Sequence, residues 1–256
     1  LSRGLGDVYK RQVRSAGSTS IRSASLPPSQ ALFPFTSLVS GSDAGRVCAT
    51  MRRPVFIAEQ ARDARGLLGR IIAFLMAHET WAHNRRVIDA LGVESGDRVL
   101  DIGCGPGRSL AMLASLATEG RIVGADPSAL MAELAVKRDG ALVRARRVEI
   151  IMASVVSLPF ADAAFDKALC VHVLYFWSDL NQAFAEIACV LKPGGKLALL
   201  FRTSADARAV QAFPAEVYRF PSLNEVIAPL EEAGLTIEQR DELAATPLLL
   251  VSTKRA

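Results

Sequence analysis

The sequence predicts an α/β fold: a mostly parallel sheet with helices on both faces. Three observations predict it. From Arg98 onward, short apolar strands alternate with helical segments, the pattern of a parallel sheet whose crossover connections are helices. The first strand runs into a glycine-rich turn, Gly103-Cys104-Gly105-Pro106-Gly107, before a helix begins. Open sheets of this kind bind their ligands at such turns, at the carboxyl ends of the strands. Breakers also separate the periods, most clearly Pro193-Gly194-Gly195, which no helix interior tolerates.

Taken in order, residues 58–91 carry a helical period. Leu67, Leu68, Ile71, Ile72, Leu75 and Met76 recur at three- and four-residue spacing, a second stretch runs through Trp81, Val87, Ile88 and Leu91, and Gly92 stops it. Strands are expected over Arg98–Ile102, Ile122–Ala125, Val148–Met152, Lys167–Val173 and Lys196–Phe201. Helices are expected near Ser109–Ala117, Ser128–Lys137 (with Ser128 as N-cap), Leu180–Leu191 and Ser222–Ala233. Two further strands, near Thr236–Arg240 and Leu248–Thr253, close the chain, and there is no internal repeat.

Half of the 256 residues are hydrophobic, ample for the core of one domain with an appendage. The longest purely apolar run, Ile71 to Ala77, is far short of the roughly 20 residues a membrane-spanning helix needs. Charge is unevenly placed. Residues 1–50 hold six basic and two acidic residues, which accounts for the whole net charge of +4; residues 51–256 hold 24 of each sign. A folded domain without basic excess is a poor nucleic-acid binder. Cys48, Cys104, Cys170 and Cys189 include no Cys-x-x-Cys pair and no histidine at zinc-finger spacing, so no metal and no disulfide is expected, and reduced thiols suit a cytoplasmic enzyme.

The Ser-, Gly- and Pro-rich residues 1–50 show no sustained period and are expected to be a disordered or non-native leader. Their opening dozen residues resemble translated adapter sequence, and Met51 makes a natural start; a transit peptide or a flexible arm are the alternatives. Residues 51–95 are expected to form a helical lid, and residues 96–256 the ligand-binding domain.

The chemistry begins at Val99-Leu100-Asp101-Ile102-Gly103-Cys104-Gly105-Pro106-Gly107. Glycines in a strand-to-helix turn let a ligand approach the backbone, since no Cβ stands in the way. Asp126 follows Gly107 by 19 residues, at the end of the second strand, where a carboxylate can accept both hydroxyls of a ribose. A dinucleotide fingerprint would place a third glycine at the position of Arg108, and Asp101 would repel a pyrophosphate. Asp101 suits instead a ligand carrying an ammonium group. An oxidoreductase using NAD is therefore disfavoured.

These segments, with Gly124-Ala125-Asp126-Pro127-Ser128, Leu158-Pro159-Phe160-Ala161-Asp162-Ala163-Ala164-Phe165-Asp166 and Glu186-Ile187-Ala188-Cys189-Val190-Leu191-Lys192-Pro193-Gly194-Gly195, make the chain from about Ala58 to Arg240 resemble the class I methyltransferases that use S-adenosylmethionine (SAM), in particular the branch acting on small molecules. The resemblance implies a Rossmann-like, seven-stranded sheet whose last strand is antiparallel. It implies that Asp101, Gly103, Cys104, Gly105 and Gly107 line the methionine and ribose portion of SAM, that Asp126 holds the ribose hydroxyls, and that Pro127, Ser128, Ser154 and Val155 lie near the adenine. Ser154 stands where relatives often carry aspartate, and Cys189 where many carry arginine.

At the end of the fourth strand, where the family faces the methyl group and its acceptor, stand Cys170, Val171 and His172, followed by Tyr175-Phe176-Trp177. Cys170 is expected beside the cofactor, with His172 and Tyr175 as candidate catalytic groups, histidine being the usual base near neutral pH. His78, Trp81 and His83 fall on the expected lid. The predicted activity is methyl transfer to a small molecule, with the acceptor atom and oligomeric state open. The rival reading within this fold is a SAM-binding protein without catalysis.

Overall fold

The computed structural model describes residues 52–241 and 247–255; the expected leader lies outside them. Three helices come first: α1 (Val55–Arg62), α2 (Gly66–Glu79) and α3 (Trp81–Leu91). The single helical period of the sequence is thus broken twice, at residues 63–65 and at Thr80. Gly92, left-handed at φ +60°, closes α3 as the C-terminal glycine the pattern predicts.

The sheet is built from β1 (Arg98–Ile102), β2 (Arg121–Asp126), β3 (Val148–Met152), β4 (Phe165–Val171), β5 (Leu191–Phe201), β6 (Leu235–Asp241) and β7 (Leu248–Lys254). Between them lie α4 (Leu110–Leu116), α5 (Ala129–Arg138), α6 (Gly140–Arg144), α7 (Leu180–Val190), α8 (Ala207–Ala212) and α9 (Leu223–Glu232). The strand order is β3-β2-β1-β4-β5-β7-β6. β1 to β5 pair in parallel, and β7 slots between β5 and β6, antiparallel to both. This is the seven-stranded sheet with an antiparallel last strand.

Alternation along the strands sorts side chains to two cores. Leu100 and Ile102 of β1 join Ala168 and Cys170 of β4 on one face, under α7 and α9. Val99 and Leu169 face the other way, against α3 and α4. Because β2 lies on one side of β1 and β4 on the other, the chain leaves β1 and β4 toward opposite edges. The order reverses between them, and this opens a crevice beyond their carboxyl ends.

Four local differences from the sequence reading have physical causes. β4 stops at Val171 rather than Val173 because His172 takes a left-handed backbone, φ +58°, which no extended strand can carry. β5 begins at Leu191, upstream of Lys196: Leu191 already pairs with Phe165, and a register shift between Phe165 and Lys167 absorbs the Pro-Gly-Gly segment. The short helices α6 and α8 have too little length for a period to be seen in sequence. The expected cap is present, Ser128 accepting from the Met131 N–H, and Ser222 forms a capping box with Glu225 that the sequence reading did not name.

Candidate active site

β1 delivers Asp101 to the crevice and β2 delivers Asp126. The turn between β1 and α4 is tied down by Gly103 and Cys104, whose N–H groups both donate to the Ala125 carbonyl, at 2.7 and 3.1 Å. Its glycines do different work. A Cβ on Gly103, at φ +72°, would stand 2.3 Å from Val173 Cγ1; one on Gly107, at φ +78°, would stand 2.9 Å from Ala135 Cβ of α5. At Gly105, also left-handed, nothing lies within 4 Å of a Cβ position, and the residue lines a cavity of about 270 Å³. The first and third glycines let the chain pack; the middle one leaves the cavity wall bare backbone.

Asp126 is 7 % exposed. Its Oδ2 accepts the Gly105 N–H and its Oδ1 the Ser128 N–H, each at 2.9 Å. Burial raises its pKa, and those two N–H donors oppose the rise. Asp101 is 3 % exposed and accepts a short hydrogen bond from the Ser109 hydroxyl. Burial, partly offset by that hydroxyl and reinforced by the charge of Asp126, raises its pKa to about 7. Neither carboxylate has an ion-pair partner among the described residues, and both line the cavity. Two buried acids without a cation are costly on their own. The pair is a site for a ligand that brings a positive charge and hydroxyl donors.

Also on the wall are Pro127 and Ser128 after β2, Ser154 and Val155 after β3, His172 and Val173 after β4, and Met76, Ala77, Thr80 and Asn84 from the N-terminal helical segment, with Arg62, Arg108, Phe176 and Trp177 among the others. Of the cofactor residues expected from sequence, Asp101, Gly103, Cys104, Gly105, Asp126, Pro127, Ser128, Ser154 and Val155 are brought together around it. Gly107 and Cys170 are not on the wall. Gly107 packs against α5, and Cys170, 1 % exposed, lies in the core beneath. Cys104 reaches the cavity edge, yet its sulfur sits where a Cβ on Gly124 would come within 2.9 Å, and burial pushes its thiol pKa up.

His172 and Tyr175 form a chain rather than a pair facing the cavity. The Arg202 N–H donates to Tyr175 Oη at 2.6 Å, Tyr175 Oη lies 2.9 Å from His172 Nδ1, and His172 Nε2 lies 3.0 Å from His83 Nδ1 of α3. Tyr175 is buried and off the wall; His172 is on it. Both imidazole nitrogens of His172 are engaged. Burial first, then the charges of His83 and Arg202, push its pKa down to about 3. His172 is therefore a neutral hydrogen-bonding group at physiological pH.

Sequence reasoning missed two participants, Ser109 and Arg108, and one contact of a third, His83. Ser109 holds Asp101, and a hydroxyl at the helix entrance was a signal for it. Arg108, noted only as a missing glycine, stacks its guanidinium 5.0 Å from the Trp81 ring centroid and so joins the turn to α3. His83 touches His172 across 89 positions, a contact no local pattern encodes.

The geometry gives a crevice with two buried carboxylates and a bare-backbone turn at the switch point of the sheet, and comparison with known proteins supplies the class. Residues 100–199 match the family model described as a methyltransferase domain. The chain is 29% identical over 164 residues to an uncharacterized methyltransferase, YdaC, of Bacillus subtilis, covering 64% of this chain and 85% of that one. It is 36% identical over 115 residues to the O-methyltransferase rstn1 of Aspergillus nomiae (45% and 51%). With the 27-O-demethylrifamycin SV methyltransferase of Amycolatopsis mediterranei it shares 34% over 167 residues (62% and 61%). It thus spans only about half to three-fifths of the length of the last two. Among solved structures it is similar to a chain of the complex between the Haloferax volcanii Trm112 methyltransferase activator and a putative methyltransferase, with TM-score 0.63, 22% identity and coverage of 78% and 98%. It is also similar to geranyl diphosphate C-methyltransferase from Streptomyces coelicolor in complex with S-adenosyl-L-homocysteine, with TM-score 0.59, 18% identity and coverage of 68% and 77%. Residues 100–199 thus carry a methyltransferase domain, and the solved structures share its fold.

Proposed function

We propose that this protein transfers the methyl group of SAM to a small-molecule acceptor held between the glycine turn and the N-terminal helices. The observation that carries the reading is the pair of buried, cation-free carboxylates Asp101 and Asp126 on one cavity wall. In this reading Asp101 holds the ammonium, Asp126 the ribose hydroxyls, and Gly105 the bare backbone surface between them. Pro127, Ser128, Ser154 and Val155 flank the adenine, with Ser154 offering one uncharged acceptor. When bound, SAM supplies a methyl group already activated by its sulfonium charge.

What the chain must supply is alignment and dryness. Orientation alone is worth on the order of 7–11 kcal/mol of barrier in well-organised systems. His172 supplies a fixed polar group at the acceptor end. Tyr175 Oη, accepting from the Arg202 N–H, donates its own proton to His172 Nδ1, which leaves His172 Nε2–H aimed at His83. With both nitrogens engaged and its pKa pushed so low, His172 fixes the shape of the wall at the acceptor end and does not serve as a base. Residues 51–95 act as the lid, with Trp81 and Arg108 as its latch.

The test is S-adenosylhomocysteine formation by the full chain with a panel of phenols, aliphatic alcohols, amines and activated carbon acids. Turnover with at least one acceptor, abolished by Asp126→Ala, supports transfer. SAM binding without turnover across the panel would favour the rival reading, a regulatory binder.

A further inference from the structure

α2 is apolar over most of its circumference, Arg70, His78 and Glu79 being its polar residues. Gly69, Ile72, Ala73 and Ala77 are buried, and Met76 and Ala77 line the cavity. Yet Leu67 and Phe74 are each 75 % exposed, with Ile71, Leu75 and Leu68 at 51, 52 and 41 %. At 100° per residue these five fall on one strip of the helix. Val55 and Phe56, also exposed, start α1, which the Arg53–Glu79 ion pair sets beside the end of α2. A helix this apolar is expected to have more than one face covered. Among the described residues, seven of the ten large exposed apolar residues lie in residues 55–75, so this is a patch and not scattered exposure.

Charge selects what covers it. Between Asp63 and Glu79 no carboxylate occurs, and the only formal charges are those of Arg65 and Arg70. Residues 52–91 hold seven arginines against four acids, a net of +3, although residues 51–256 together are neutral. Arg65 and Arg70 are paired with Asp63 and Glu133; Arg62 and Arg85 are exposed and have no ion pair among the described residues, Arg62 also lining the cavity. An aliphatic and aromatic strip that itself carries no acid, in a segment of net positive charge, is complementary to an anionic lipid surface.

We propose that α2, with the start of α1, docks the protein in the plane of an anionic bilayer. The opposite side of the same helix lines the cavity, so docking places the acceptor end of the site next to lipid. An apolar acceptor can then enter from the membrane; that corollary rests on the transfer reading, and docking itself does not.

Co-sedimentation of the full chain with phosphatidylcholine vesicles, with and without phosphatidylglycerol, tests it. A double variant, Leu67→Ser with Phe74→Ser, is the control, because both side chains are already mostly in water and lie outside the cofactor site. The expected result is sedimentation with the anionic vesicles, weakened by added salt and reduced about tenfold or more in the variant. Circular dichroism and SAM affinity should stay unchanged. Wild-type protein that stays in solution with both vesicle types, or a variant that sediments equally, overturns the proposal. So does a concentration-dependent dimer, lost in the variant, without vesicle binding; that would give the strip to a second copy.

Discussion

Asp101 is the residue whose chemistry is most exposed to a simple test. Its folded pKa of about 7 stands above the ordinary 3.8. A raised carboxylate contributes stability below the unfolded value, and that contribution is lost as pH rises through the folded value. The unliganded protein should therefore lose stability between about pH 4 and 7 on this account. A bound ammonium favours the charged form, so SAM affinity should rise with pH, by up to about tenfold per unit, and level off above about pH 7. Thermal shift by SAM across that range checks it, with Asp101→Asn flattening the slope. That Asp101, Asp126 and Gly105 meet at one crevice was legible in the sequence, because strand ends and the turn set it; that Gly107 packs against α5 off the wall was not. His83 and the low basicity of His172 were not, because both arise from packing between segments far apart in the chain.

Among the elements, the β1–α4 turn makes the sharpest contrast. Gly103→Ala would drive a methyl group against Val173 at a left-handed φ, and a cost of about 2–4 kcal/mol in unfolding free energy is expected from overpacking and backbone strain together. Gly105→Ala meets open space, so only the backbone term applies, about 1–2 kcal/mol, while its methyl group occupies the cavity wall and SAM affinity should fall by at least about tenfold. Chemical denaturation and SAM titration of the two variants separate packing from ligand clearance. Strand and helix order was readable here, but not the ends. β4 is cut short by the backbone of His172, and β5 is extended by pairing with Phe165. Tertiary contacts decide both, and propensity does not see them.

On the scale of the molecule, the sheet reverses order between β1 and β4, and the whole site gathers at that reversal. Both faces of the sheet carry a full core, so stability and binding separate in space. Phe184, fully buried in α7 and edge-on to Trp177, lies outside the cavity wall. Phe184→Ala should cost about 3–5 kcal/mol in unfolding free energy with SAM affinity in the folded protein little changed, as denaturant unfolding and titration would report. The sheet and its antiparallel closing strand followed from alternation and from the family resemblance. The outward apolar strip of α2 did not: its periodicity reads as core packing, and only the fold reveals that Ile72 turns inward while Leu67, Ile71, Phe74 and Leu75 turn out. No described helix is long and apolar enough to cross a membrane, and a helix lying on one needs no such length.

The most direct test of the central claim is calorimetric titration of the full chain and of its Asp126→Ala variant with SAM, S-adenosylhomocysteine and NADH. Saturable binding of both adenosyl ligands, weakened about a hundredfold or more in the variant through loss of charged hydrogen bonds, with no binding of NADH, is the predicted result. Binding of NADH in preference to SAM, or SAM binding untouched by the loss of Asp126, would contradict the assignment of this crevice as the SAM site.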